Sequence, residues 1–225
     1  MSSLSIIIPV LNEESYLNTN RKQLVSLLED GHEILVVDGG SQDESMHSAD
    51  ALGCKVFSTR ASRGHQLHQG AKHSNNDILL FLHADTLLPP DAVQVIAQVL
   101  AKSQAHWGRF NVRFTNPRWM FRVMAWFMNK RSCLSGIVTG DHALFIKREF
   151  YFSCGGFMDI PIMEDVEFCR RLKKNASPVC LSEEVVTSSR RWEHSGILKT
   201  VITMWALRLL FFFGRSPEKL ARLYK

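Results

Sequence analysis

A chain of 225 residues, 45% hydrophobic and 22% charged, has enough apolar content for a sizeable core, which excludes a disordered or fibrous polypeptide. The formal charge of +5 and pI near 9.0 suit a polyanionic ligand or an anionic membrane surface, while the lack of a long basic block argues against nucleic acid. The five cysteines (Cys54, Cys133, Cys154, Cys169 and Cys180) form no C-x-x-C pair. Neither a zinc site nor a disulfide framework is indicated, and reduced thiols in a cytoplasmic compartment are expected. Met-Ser-Ser-Leu-Ser runs into the first apolar stretch without a basic, cleavable leader, so a secreted product is not expected.

Leu4 to Val10 is a β-branched apolar run that reads as a central parallel strand, with Pro9, which has no donor, at its end. A helical pattern starts at Asn12-Glu13-Glu14, buries Leu17, Leu24, Leu27 and Leu28, and stops at Gly31. The second strand, Glu33 to Val37, ends in Asp38-Gly39-Gly40-Ser41-Gln42-Asp43. Strand, helix and strand at this spacing form a right-handed βαβ unit. The Gly-Gly pair lets backbone approach a ligand, and a helix over Gln42 to Leu52 follows.

A short strand from Cys54 to Ser58 leads to Arg60 and Arg63, then to a helix over His65 to Ser74. His65-x-x-His68 on that helix reads as a solvated face, because no third ligand accompanies it. Next, an apolar run from Asp77 to Leu82 delivers His83, Ala84 and Asp85 at its carboxyl end, where ligands collect in open α/β sheets. A carboxylate there is the kind of oxygen ligand that holds Mg²⁺ or Mn²⁺ against a bound phosphate; the bland alternative is an Asp that caps a turn. No G-x-G-x-x-G lies in the first turn, which disfavours the usual dinucleotide fold.

Three segments together, Ser5-Ile-Ile-Ile-Pro-Val-Leu-Asn-Glu13, Val36-Val-Asp-Gly-Gly-Ser-Gln-Asp43 and His83-Ala-Asp85, resemble the nucleotide half of inverting family 2 glycosyltransferases with the GT-A fold. Within that group the chain is similar to a small bacterial subgroup with a Leu-His-Ala-Asp-Thr variant of the D-x-D motif. The resemblance implies a nucleotide-diphosphate sugar donor, with Asp38 near the base or ribose and Asp85 on the metal. Pro9, Asn12, Glu13, Gly39, Arg63, His83 and Ala84 complete the expected donor site. His83 departs from the general D-x-D pattern.

The second half reads as the acceptor side. Asp91 to Lys102 is an amphipathic helix, and Trp107 to Phe114 alternates like a half-exposed strand. Trp119 to Met128, rich in Trp, Phe and Met, reads as a core helix, with a membrane-surface helix as the alternative. Gly140-Asp141-His142 opens a segment that resembles the family's acceptor-side strand. Glu164-Asp165 follows a Gly-Gly turn and resembles the family's Glu-Asp motif, in which the Asp, here Asp165, is the general base; a capping pair is the bland reading. Ser188-Ser-Arg-Arg-Trp192 is similar to the Q-x-x-R-W element of processive relatives but has Ser188 in the Gln position. Arg190, Arg191 and Trp192 are accordingly expected at phosphate or acceptor, without processivity. Ile197 to Phe213 is the most apolar helix, yet too short and too charged for a convincing bilayer span.

The expected fold is α/β: a GT-A-like three-layer sandwich with a mostly parallel central sheet and helices on both faces. It is expected to be one domain over 1–225, with residues 1–100 the nucleotide-binding half and 101–225 the acceptor half. The expected activity is metal-dependent, inverting transfer of a sugar to a hydroxyl acceptor, with a lipid as one acceptor class. A sugar nucleotidyltransferase and a non-catalytic nucleotide-sugar or lipid-binding module stay open as rivals. So do a homodimer and peripheral attachment to the inner face of a membrane.

Overall fold

The computed structural model describes residues 3–102 and 105–224; the side chains of Arg191, His194, Ser195 and Leu198 also lie outside the described residues. In chain order the elements are β1 (Leu4–Val10), α1 (Glu14–Thr19), α2 (Arg21–Glu29), β2 (Glu33–Asp38), α3 (Ser45–Ala51), β3 (Lys55–Ser58), α4 (Arg63–His73) and β4 (Ile78–Phe81). Then follow β5 (Thr86–Leu87), α5 (Ala92–Lys102), β6 (Trp107–Phe114), α6 (Trp119–Ser135), β7 (Leu144–Lys147), α7 (Arg148–Ser153) and α8 (Glu164–Leu172). The last are β8 (Val179–Thr187), α9 (Arg190–Ser195), α10 (Ile197–Phe212) and α11 (Pro217–Tyr224).

The strands form one eight-stranded sheet in the order β3-β2-β1-β4-β7-β6-β8-β5. From the pairings, β1, β2, β3, β4, β6 and β8 run one way and only β5 and β7 run against them. Alternation along β1 and β2 separates two apolar layers. Ile6, Ile8, Ile34 and Val36 pack with Leu17, Leu24 and Ile96 from α1, α2 and α5. Ile7, Leu35 and Val37 pack on the other face with Leu67, Ala71, Tyr151 and Phe168 from α4, α7 and α8. Each such fully buried Leu, Ile or Phe contributes roughly 1.5–3 kcal/mol.

Chain order runs outward from β1 through β2 to β3, then α4 crosses back to β4 on the other side of β1. The topological switch point therefore lies between β1 and β4, the place where open α/β sheets leave a crevice. Pro9 does not end β1, which continues to Val10 opposite Asp38. Val10 O accepts from Gly39 N on the β2 side and Ile7 O accepts from Leu82 N on the β4 side. Successive residues face alternate neighbours, so position 9 faces β4, whose pairing has already ended at Ile7 with Phe81. Its missing N–H costs no ladder bond.

Several expectations require correction. The helix read from Asn12 to Leu28 is two helices, because buried Asn20 turns the chain to donate from Nδ2 to Ala84 O (2.6 Å). β6 is not half-exposed: β7 and β8 pair on either side of it and Arg109 is only 2% exposed. Cys133 of α6 and Cys180 of β8 are disulfide-bonded with Cα atoms 5.9 Å apart, within the ordinary range, while Cys54, Cys154 and Cys169 are free. A separation of 47 residues gave no spacing signal for that pair. His68 is half-buried, with Nδ1 3.0 Å from the Tyr151 hydroxyl, rather than on a solvated face. α6 is not a core helix either: it buries Phe121 and Ala125 but exposes Trp119, Val123, Trp126 and Phe127. Among the described residues no helix is long and apolar enough to cross a membrane.

Candidate active site

Two loops after β1 and β2 build one wall of the crevice. Asn12 adopts a left-handed backbone (φ 56°), tolerable for Asn, which lets its N–H donate to Ser41 Oγ (2.8 Å) and its Oδ1 accept from Gln42 N (2.8 Å). Glu13 N donates to Ser45 Oγ (2.9 Å). Asp38, 1% exposed, accepts from the backbone N–H groups of Gly40 (2.8 Å) and Ser41 (3.0 Å) and from the Ser41 hydroxyl. Its carboxylate thus shapes the turn that a ligand would meet. Gly39 sits in close approach: a Cβ there would stand 3.1 Å from the Gln66 amide, so that neighbour would have to give way. Gln66 Nε2 in turn donates to Val10 O (2.9 Å) and Val37 O (2.8 Å), locking the ends of β1 and β2 together.

The segment after β4 hangs from the opposite wall. The Ala84 carbonyl is held by Asn20, and Gln23 brackets Leu88 by donating to its O (3.0 Å) and accepting from its N (3.2 Å). That cradle fixes His83 and Asp85. His83 Nδ1 lies 3.6 Å from Asp141 Oδ1, and Thr86 Oγ1 donates to Asp85 Oδ1 (3.3 Å). Burial raises the Asp85 pKa, opposed by Thr86 and by the positive charges of Arg190 and Arg63. Burial likewise raises that of Glu13, opposed by Arg190 and reinforced by Asp85 and Asp43. Arg190 Nη2 sits 3.7 Å from Glu13 Oε2, with its guanidinium 4.6 Å over the Tyr16 ring.

Arg63, at the start of α4, reaches Glu164 Oε1 through Nε at 3.4 Å. Glu164 is 7% exposed, and burial next to Asp165 raises its pKa against the pull of Arg63. Asp165 Oδ1 accepts from Val166 N at 2.7 Å. A narrow cavity of about 20 Å³, space for about one water, is lined by Arg63, His83, Gly140, Glu164 and Asp165 over a floor of Leu67, Phe81 and Phe157. Gly140 leaves room for two side chains here, since a Cβ would strike both Arg63 Nη2 and His83 Nε2 and make them shift. Among the described residues the non-glycine positions with positive φ are Asn12, Ala143 and Met163. Each flanks a candidate group: Glu13, Asp141 with His142, and Glu164 with Asp165. Such strain persists where surrounding structure enforces it, often at functional sites.

The structure thus gathers Asn12, Glu13, Arg63, His83, Asp85, Asp141, Glu164, Asp165 and Arg190 around one crevice, with Pro9, Asp38, Gly39 and Ala84 shaping its rim. Trp192 is half-buried and packs against the core, edge-on to Phe114 at 6.1 Å. The Arg191 side chain lies outside the described residues, and Arg60 is exposed and paired with Asp159. Sequence reading missed Asn20, Gln23, Gln66, Arg131 and Arg208. The two arginines, from α6 and α10, face Asp165 and Asp141 from within apolar helices. Beside them His142 is fully buried and neutral, its pKa pushed down to about 3 by burial and the nearby Arg109 and Arg131.

The donor set fits a hard divalent cation. Among the described residues no three His, Cys, Asp or Glu side chains form a ready-made centre. Mg²⁺, however, is commonly bound by one or two carboxylates together with substrate phosphates. Asp85 and Glu13 supply such oxygens, and Glu13 Oε2 is buried without a hydrogen-bond partner among the described residues.

The half-sheet with a switch-point crevice, continued by β7, β6, β8 and β5, defines an α/β protein of GT-A-like architecture. Residues 5–164 match the family described as Glycosyl transferase family 2, and the chain belongs to that family. It is 30% identical over 113 residues (45% of this chain, 35% of the relative) to the undecaprenyl-phosphate 4-deoxy-4-formamido-L-arabinose transferase of Sodalis glossinidius. The chain spans about a third of the length of the curated relatives it matches. Among solved structures it is similar to S. aureus TarS 1-349 in complex with UDP (TM-score 0.67, 16% identity, 83% of this chain and 60% of that one). It is also similar to glucosyl-3-phosphoglycerate synthase from Mycobacterium tuberculosis in complex with Mg2+ and UDP (TM-score 0.60, 18% identity, 83% and 70%).

Proposed function

We propose that the protein transfers a sugar, with inversion, from a nucleotide-diphosphate sugar to an acceptor hydroxyl, using Mg²⁺ or Mn²⁺. The observation that carries this reading is the meeting of two carboxylate groups in one crevice, Glu13 with Asp85 and Glu164 with Asp165. Arg63 stands between them, ion-paired to Glu164 and close enough to Asp85 to act on its charge. The turn built on Asp38 and Gly39 receives the base or ribose, and Arg63 and Arg190 steady the diphosphate. When bound, the divalent ion on Asp85 supplies Lewis-acid neutralisation of the departing diphosphate.

Asp165 takes the proton of the acceptor hydroxyl while its oxygen bonds to the anomeric carbon and the bond to the diphosphate breaks on the opposite face. Buried Glu164 holds Arg63 in place. We read 1–225 as one glycosyltransferase domain, with the Leu-His-Ala-Asp-Thr segment as its form of the D-x-D motif. Exposed Trp119, Trp126 and Phe127 on α6, with Trp205, Phe212 and Phe213 at α10, favour an enzyme lying on a membrane face and a lipid acceptor.

A thermal-shift panel of UDP, GDP, CDP and dTDP, with and without Mn²⁺, tests the donor half. One base should stabilise the protein in a metal-dependent way, by about 2.7 kcal/mol at one hundred times Kd. A flat panel would remove the reading.

A further inference from the structure

We propose that Arg131 of α6 and Arg208 of α10 form the seat for a phosphate group on the acceptor, beside Asp165. The inference rests on the transferase reading above. Arg131 Nη2 and Arg208 Nε are buried without a hydrogen-bond partner among the described residues. Buried donors in native proteins are nearly always satisfied, so one orphaned guanidinium nitrogen on each of two neighbouring arginines calls for an acceptor that arrives from outside. Neither arginine joins an ion pair among the described residues, whereas Arg63 has Glu164, Arg190 has Glu13 and Arg171 has Glu167.

Rigid elements hold both groups in position. Two residues past Arg131, the Cys133–Cys180 disulfide ties α6 to β8. Leu207, adjacent to Arg208, packs against Met163 and Val166, which bracket Glu164-Asp165. The charges facing the pair are Asp165, Asp141 and each other, and burial together with Arg208 holds Arg131 down to about 10. Although Asp165 and Asp141 face the pair, each fork keeps a buried nitrogen without an acceptor among the described residues, which suits a phosphate's three oxygens. Arg63 and Arg190 already serve the Asp85 side of the crevice. The phosphate at Arg131 and Arg208 therefore belongs to the acceptor, whose hydroxyl then lies at Asp165. Either a lipid phosphate or a water-soluble phosphate ester supplies that group; the apolar outer faces of α6 and α10 suit the lipid.

Isothermal titration calorimetry with glycerol 3-phosphate, 1-octanoylglycerol 3-phosphate and neutral monooctanoylglycerol tests this on wild type, Arg131→Gln, Arg208→Gln and Arg131→Lys. One or both phosphate compounds should bind wild type, bind each Gln variant at least tenfold more weakly, and recover part of the loss in Arg131→Lys. Binding of the octanoyl phosphate alone identifies a lipid source; binding of both identifies a phosphate ester of either kind. No phosphate binding, Gln variants that bind as wild type does, or equal binding of the neutral lipid overturns the seat. The favoured nucleoside diphosphate with Mn²⁺, titrated into every variant, reports folding and the donor site. If no nucleotide binds while the arginine-dependent phosphate binding remains, the transferase reading falls and the seat stands.

Discussion

Arg63 Nε and Glu164 Oε1, 3.4 Å apart, join the first turn of α4 to the first turn of α8 across the crevice. Glu164 is buried and Arg63 is only partly so, so the pair is asymmetric. Arg63→Ala leaves a buried carboxylate without its cation and should destabilise the protein by about 1–3 kcal/mol in urea unfolding. The Arg63→Ala, Glu164→Gln double variant should recover much of that loss. Losses that simply add would show that the two groups are not coupled.

Asp85 pays for function with stability. Burial holds its pKa up beside Glu13, so Asp85→Asn relieves a poorly solvated charge. The variant should melt higher without ligands, by about 2–4 °C for each 1 kcal/mol gained. It should also lose the Mn²⁺-dependent part of nucleotide stabilisation. A lower melting point would mean that the carboxylate is structural.

The pH dependence follows from the same groups. Glu13, Asp85 and Glu164 all have raised pKa values, so the folded chain holds their protons more tightly than the unfolded chain. Their stabilising contribution is full below the ordinary carboxylate pKa and is lost as pH rises through the raised folded values. Protons and a divalent cation compete for the same oxygens, so the Mn²⁺-dependent thermal shift should shrink from about pH 7 to about pH 5. A shift independent of pH would place the metal elsewhere.

Asp165→Asn should keep nucleotide binding and fold while kcat falls by about 10²–10⁴, the usual contribution of a general base. Turnover close to wild type would assign the proton to another group.

Gly140→Ala is the sharpest steric test. The added methyl collides with Arg63 and His83 together, so both must move. Turnover should fall strongly with only a modest change in melting temperature. Unchanged kinetics would show that neither side chain is needed where it stands.

The strand ends were legible because alternation and β-branched runs report burial, and buried parallel strands aim their carboxyl ends at one edge. Asp38 and Asp85 were placed at strand ends that way, whereas Glu164-Asp165, at the start of α8, was placed through the resemblance alone. Trp192, expected at phosphate or acceptor, rests half-buried against Phe114, a contact no local pattern announced. Arg131 and Arg208 were hidden for the opposite reason: each sits in a helix rich in apolar residues, where a lone cation reads as incidental until the fold turns it inward. The exposed face of α6 was misjudged because composition says how apolar a helix is and not whether another layer covers it. No local pattern links Asn20 to Ala84 or Cys133 to Cys180; only tertiary packing does.

Pro9 has a consequence beyond the ladder. Past Ile7 and Phe81 the seam between β1 and β4 has come unfastened, and a residue with an N–H at position 9 would hang a loose donor over the gap. With proline, that lip of the sheet is mute. The polar voice of the crevice then comes from groups that the loops can aim, Asn12, Glu13 and Asp85, rather than from a strand edge that would also welcome another strand.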